Sequence, residues 1–238
     1  MNEIIPTAIR MDYFIFGRNV FLSACGEAET PAPLPTETPA PTRAALVLPT
    51  AAPGWKIGKR ADVQIALPDT WQEIKLDANA LQAAIVAAQD RNPPLAEQLR
   101  ALLESGQTQA LIFYAADTTP ALVARNVAIS RVNMPPNQDL KTFAKTYADA
   151  LPNIVRGAQV REVQAPLKIN GMNAAAIVYD VSLVDRAEKL TTLRGVQYLY
   201  VLDSGAAYMV TVTGDAADAE KFTPLARQLA TSFAITTR

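Results

Sequence analysis

The chain has 238 residues, half of them hydrophobic and 19% charged, enough apolar matter to bury a core of its own. Lysine and arginine together number 22 and aspartate and glutamate 23, and no stretch gathers the positive charges, which argues against nucleic acid as a partner. Histidine is absent and cysteine occurs once, so the commonest general base near neutral pH, an internal disulfide and a multi-thiolate zinc site are all excluded. No apolar run approaches the roughly 18 residues of a spanning helix.

Residues 1–24 carry an export signal in imperfect form. Arg10 supplies a basic start, and Tyr13 to Phe16 begins an apolar run that Gly17, Arg18 and Asn19 interrupt. Leu22-Ser23-Ala24-Cys25 follows. These four residues resemble the lipobox of bacterial lipoproteins, in which a leucine and small residues precede a cysteine that becomes the new first residue. The small residues let the chain lie extended in a peptidase groove. The resemblance implies that the Cys25 thiol carries a diacylglycerol and its amine a further acyl chain. Two or more chains hold a soluble domain on a bilayer where one does not. Membrane lipid would then be a partner through Cys25, and the protein would sit outside the cytoplasm on the bacterial cell membrane. Taken alone, the four residues also fit a cysteine with no special role.

Residues 25–53 read as a tether. Between Thr30 and Pro53 there are seven prolines and five threonines, with only Glu37 and Arg43 charged. Such a composition forms neither helix nor ladder and favours polyproline II. Extended at about 3.1 Å per residue, the segment from Gly26 to Pro53 reaches roughly 80–90 Å.

Residues 54–238 read as one α/β domain. Strands are expected at Val63 to Leu67, Gln72 to Leu76, Thr108 to Ala115, Val123 to Val132, Val160 to Ile169, Ala174 to Val184, Val196 to Leu202 and Ala206 to Thr213. Asn170-Gly171 and Asp203-Ser204-Gly205 read as hairpin turns, so the strands they join run antiparallel. Helices are expected over Asn79 to Glu104, split at Asn92-Pro93-Pro94, and over Leu140 to Leu151, stopped by Pro152. Phe222, Leu225, Leu229 and Phe233 mark a closing helix. Ile177, Tyr179, Val181 and Leu183 alternate with the small or apolar Ala174, Ala176, Val178 and Val184, which suits a sheet covered on both faces. The expected architecture is therefore a three-layer α/β/α sandwich around a mainly antiparallel sheet.

Ile65-Ala66-Leu67-Pro68-Asp69-Thr70-Trp71 resembles the opening strand and turn of PsbP-like domains. The Asn170-Gly171 turn, the strand ending Ala207-Tyr208-Met209-Val210 and the closing Thr231-Ser232-Phe233 recur in the same order as in that family. The resemblance spans nearly all of residues 54–238. It implies an α/β/α sandwich used as an accessory or protein-binding module, with no shared active site and no metal residues carried over.

The residues themselves offer little to catalysis. There is no Gly-x-Ser-x-Gly elbow, no Ser-x-x-Lys and no phosphate loop, because Gly54-x-x-x-Gly58-Lys59-Arg60 lacks the spacing. Asp180 with Asp185, or Asp215 with Asp218, would be the available carboxylate pairs, but capping and the helix dipole account for the second pair. No enzyme activity and no cofactor are expected. Tyr198, Tyr200 and Tyr208 share strand parity and face one way, as core under a helix or as a ligand or partner surface. Arg125, Arg131, Arg156 and Arg161 are either solvated charges or an anion patch. The function expected from the sequence is a lipid-anchored, extracytoplasmic, noncatalytic binding or accessory module for an unknown envelope protein. The alternative is a carrier of a small apolar ligand held between the sheet and the 79–104 helices, in a pocket lined by Leu81, Ile85, Tyr198 or Tyr200.

Overall fold

Wherever the sequence alternates apolar and polar residues between tight turns, neighbouring segments pair antiparallel. The computed structural model describes residues 50–135, 137–184, 190–202 and 205–236. The export-like segment, Leu22, Ser23, Ala24 and Cys25, nearly all of the tether, Asp185 and the Asp203-Ser204 turn residues lie outside them.

Two sheets form. The smaller has the order β1-β2-β10, built from β1 (Trp55–Arg60), β2 (Val63–Pro68) and β10 (Ala234–Ile235). The larger contains β3 (Trp71–Glu73), β4 (Leu111–Asp117), β5 (Asn126–Val132), β6 (Ala158–Ile169), β7 (Met172–Val184), β8 (Leu190–Val201) and β9 (Ala207–Asp215). Its order is β3-β4-β5-β9-β8-β7-β6, antiparallel at every step. Asn170 and Gly171 have φ of 51° and 78° between the paired Ile169 and Met172. Positive φ at both positions is what a two-residue turn of this hand needs, and the asparagine-glycine pair supplies it at least cost.

Four helices cover the larger sheet: α1 (Ala78–Ala88), α2 (Pro93–Glu104), α3 (Leu140–Ile154) and α4 (Ala219–Thr231). The first three start on side-chain caps, Asp77 accepting from the Ala80 amide at 2.9 Å, Asn92 from Leu95 at 3.3 Å and Asp139 from Thr142 at 2.9 Å. On one face of the sheet α1, α2 and α3 pack in separate apolar clusters. On the other, α4 and the small sheet share a continuous core with Phe113, Val127, Val210 and Val212. The three layers are those expected, with one outer layer made of a helix and a small sheet together.

Several local expectations need correction. Pro152 does not stop α3, which runs on to Ile154. Leu151 is fully buried beside it, and the packing of that last turn offsets the one hydrogen bond a proline cannot donate. Phe233 lies beyond α4 and packs on Tyr200 and Tyr208, with ring centroids 4.9 and 6.0 Å apart. Gln107–Ala110 is a 3₁₀ turn rather than the start of a strand, and the strand after Pro68 is only Trp71–Glu73. β1 and β10 were not anticipated at all.

Candidate functional site

Of the carboxylates that offered acid and base chemistry, Asp180 and Asp218 are held by arginine, and Asp215 is a helix cap. Asp180, 6% exposed, takes Arg194 Nε on Oδ1 at 2.8 Å and Arg161 Nε on Oδ2 at 2.8 Å. Arg194 adds a second bond to Oδ2 at 3.0 Å. The Arg194 hydrogen bonds, opposed by burial and reinforced by Arg161, hold the Asp180 carboxyl below the usual range. Asp62, between β1 and β2, is arranged alike: its Oδ2 accepts from Tyr208 Oη and from Arg131, each at 2.6 Å. Burial pushes its pKa up, but these two donors outweigh it and the net direction is down. Permanently ionised carboxylates of this kind fix geometry and do not shuttle protons near neutral pH. Among the described residues no cluster of histidine, cysteine, aspartate or glutamate is placed to hold a metal ion.

Three of the four arginines are spent on separate carboxylates and not on a common anion patch. Arg125 binds Asp218 at 2.6 Å, Arg131 binds Asp62 and Arg161 binds Asp180. Asp215 caps the 3₁₀ turn before α4 through the Ala217 amide, whereas Asp218 makes no side-chain cap and serves Arg125 instead.

Tyr198, Tyr200 and Tyr208 do share one face, and Tyr200 and Tyr208 stand opposite each other across β8 and β9. All three are buried in the core that α4 covers. The Tyr200 hydroxyl donates to the Ala230 carbonyl at 2.7 Å, and the Tyr208 hydroxyl is spent on Asp62. The carrier pocket expected from the sequence does not assemble: Leu81 and Ile85 pack with Leu95, Leu99 and Tyr114 on one face of the sheet, and Tyr198 and Tyr200 lie on the opposite face. Strand parity separates the two sets, with the backbone of the sheet between them.

An open concave surface lies elsewhere. A groove of about 340 Å³ runs between α3 and β6, with Lys141, Lys145 and Asp149 along the helix and Val160, Val163 and Ala165 along the strand. Lys145 is paired with Asp149 at 2.8 Å, which leaves the rim one positive charge in excess. β6 is the end strand of the larger sheet, and it is bulged between Val160 and Glu162 and again between Gln164 and Leu167. The first bulge breaks its period of two, so Val163, 39% exposed, comes to the α3 side beside Val160, where unbroken alternation would place Glu162. Sequence reasoning missed these residues because a bulge leaves no mark in hydropathy. An apolar floor with a basic rim suits an apolar side chain flanked by acidic groups.

No family model matches the chain, and no curated protein matches it. Solved structures do. The chain is similar to cyanobacterial PsbP (CyanoP) from Synechocystis sp. PCC 6803, at 10% identity with a TM-score of 0.49, over 83% of this chain and 99% of that one. It is similar to LpqN of Mycobacterium tuberculosis, described as involved in cell envelope biogenesis, at 13% identity and TM-score 0.43, over 79% and 90%. A protein of unknown function from Pseudomonas aeruginosa, PA94, aligns at 12% identity and TM-score 0.43, over 77% and 97%.

Proposed function

We propose that this chain is a noncatalytic binding module held at the bacterial cell envelope by lipid on Cys25, with the groove between α3 and β6 receiving a partner protein. The groove carries the reading: it is an open apolar concavity on an end strand, while Asp180 and Asp218 are held by arginine and Asp215 is engaged as a cap. The lipobox-like Leu22-Ser23-Ala24-Cys25 and the proline- and threonine-rich segment after it support the anchor and a stalk. A tethered domain raises the local concentration of whatever it binds without performing chemistry. No helix among the described residues is long and apolar enough to cross a membrane, so the lipid would do the anchoring.

Two measurements test the two halves separately. The intact mass of protein recovered from the membrane fraction of a bacterial host is expected to show a chain starting at Cys25 with added lipid. Cys25→Ala abolishes both; an unlipidated chain still beginning at Met1 removes the anchor from the reading. A photo-crosslinking amino acid placed at Val163 is expected to trap one discrete envelope protein. The same group at Val86, an exposed position on α1 remote from the groove residues in sequence, is the control. Equal trapping from both sites, or none from Val163, rejects the groove.

A further inference from the structure

The face of the larger sheet covered by α1, α2 and α3 holds several buried polar side chains on neighbouring strands. Gln197 of β8 stands directly opposite Thr211 of β9, and Thr211 opposite Ala128 of β5. Ser130 and Asn126 lie two residues to either side of Ala128, on that same face. The patch spans two strand spacings, roughly 10 Å, across the sheet and four residues, roughly 13 Å, along β5. Gln197, Thr211, Ser130 and Asn126 are each 1% exposed.

These groups lack partners. Neither end of the Gln197 amide has a hydrogen bond among the described residues, nor do the Thr211 and Ser130 hydroxyls. Asn126 donates its amide to Thr213, but its Oδ1 accepts nothing. Tyr147 of α3 brings its hydroxyl to the Gln197 amide, without a hydrogen bond of ordinary geometry between them. Buried amides and hydroxyls in folded proteins are almost always satisfied, because leaving them dry forfeits their hydration with no return. So many in one seam point to small occupants that supply the missing partners.

The chemistry of the seam selects that occupant. Every group in it is neutral, and burial pushes Tyr147 up to about 12, so it stays neutral as well. An ion would be desolvated there with no counter-charge. An apolar molecule would leave the same atoms unsatisfied. A hydroxyl group both donates and accepts, as the amide and hydroxyls around it require. We infer that the seam bounded by β5, β9, β8 and α3 is a binding site for a small neutral molecule presenting hydroxyl groups, supplied either by water or by a short polyol. The site is independent of the groove on β6, and of whether Cys25 is lipidated.

The test uses the full chain carrying Cys25→Ala, isotope-labelled, with the Gln197 side-chain amide assigned from its loss in Gln197→Leu. A rotating-frame cross-peak of dipolar sign from water to that amide is expected, marking water within contact. Glycerol, added to the folded protein and also during refolding, distinguishes the sources. Loss of the water cross-peak with shifts at Gln197 and at the Thr211 methyl assigns the seam to a polyol. A cross-peak that survives glycerol assigns it to water. No cross-peak and no response to glycerol means a dry seam and overturns the inference. Gln197→Leu with Thr211→Val gives a second readout: an occupied seam loses its hydrogen-bond partners and Tm falls by several degrees. A rise in Tm, as expected on removing unsatisfied groups from a dry core, overturns the inference too.

Discussion

Under α4 and the small sheet, the larger sheet presents one uninterrupted apolar surface running from Phe113 through Val127 and Val210 to Tyr200, on which Phe233 packs. Its ionised groups are confined to the margin, where Asp62 and Asp180 are each held by arginine. The opposite face is divided. Clusters under α1 and α2 and under α3 share no member, and neutral polar side chains fill the positions between them. The first arrangement is what stability asks for: contiguous burial, with each charge satisfied where it leaves the core. The second gives up contiguous burial to hold groups that bind. Two faces of one backbone thus divide the work.

The largest effect that sharpens this contrast is truncation at the centre of the apolar face. Phe233→Ala removes a fully buried ring that touches Tyr200 and Tyr208, and is expected to lower stability by about 3–5 kcal/mol. That is a large part of the margin a domain of this kind possesses. Leu99→Ala, fully buried on the divided face, is expected to cost less in the same urea titration; a larger loss there would break the comparison. Next comes Gly195, over which the ring of Tyr179 lies: a Cβ at Gly195 would stand 2.2 Å from that ring. Gly195→Ala forces the buried ring aside, and about 1–3 kcal/mol of destabilisation by thermal or chemical unfolding is expected.

Asn92→Ala follows. The side chain caps α2 at Leu95, and its amide reaches the Thr119 carbonyl at 3.0 Å, tying the helix to the loop after β4. Losing both is expected to cost about 1–2 kcal/mol. Hydrogen exchange should show the loss concentrated in α2, and a uniform loss would contradict a local tie. The smallest effect is at the margin. Asp180 titrates below its ordinary value of 3.8 when folded, so the unfolded chain binds protons first as pH falls. The stabilisation is complete above about pH 4 and disappears as pH drops through the folded value. Asp180→Asn is expected to flatten that acid limb slightly, since Arg161 is half exposed and solvent screens it. An unchanged limb would mean that this marginal pair contributes nothing.

Much of this was legible before any coordinates. Parity put Tyr198, Tyr200 and Tyr208 on one face, Asn170-Gly171 marked its turn, and the Leu81, Ile85 and Leu95, Leu99, Leu102 spacings marked two helices. What escaped had weak local signals. β10 is two residues long and exists only because β2 is there to pair with it. β1 mixes Lys56, Lys59 and Arg60 with Ile57 at an exposed edge. Nothing in the sequence singles out Gln197 and Thr211, because parity says which side a residue takes and not which polar groups find partners there. The alternative carrier pocket grouped Leu81 and Ile85 with Tyr198 or Tyr200 without a sheet order; with β8 and β4 in one sheet, the two sets fall on opposite sides of it.

The pairing of β10 with β2 also sets an order in time. Ile235 lies opposite Val63, the Thr236 amide donates to the Asp62 carbonyl at 2.7 Å, and the Ser232 hydroxyl accepts from the Ala66 amide at 3.0 Å. The strand made earliest in the small sheet after β1 therefore waits, with one edge open, while some 170 further residues are synthesised. On the ribosome the domain has no finished state short of residue 236. The hairpins of the larger sheet pair neighbours in sequence, so completing the small sheet is the step that waits longest on synthesis.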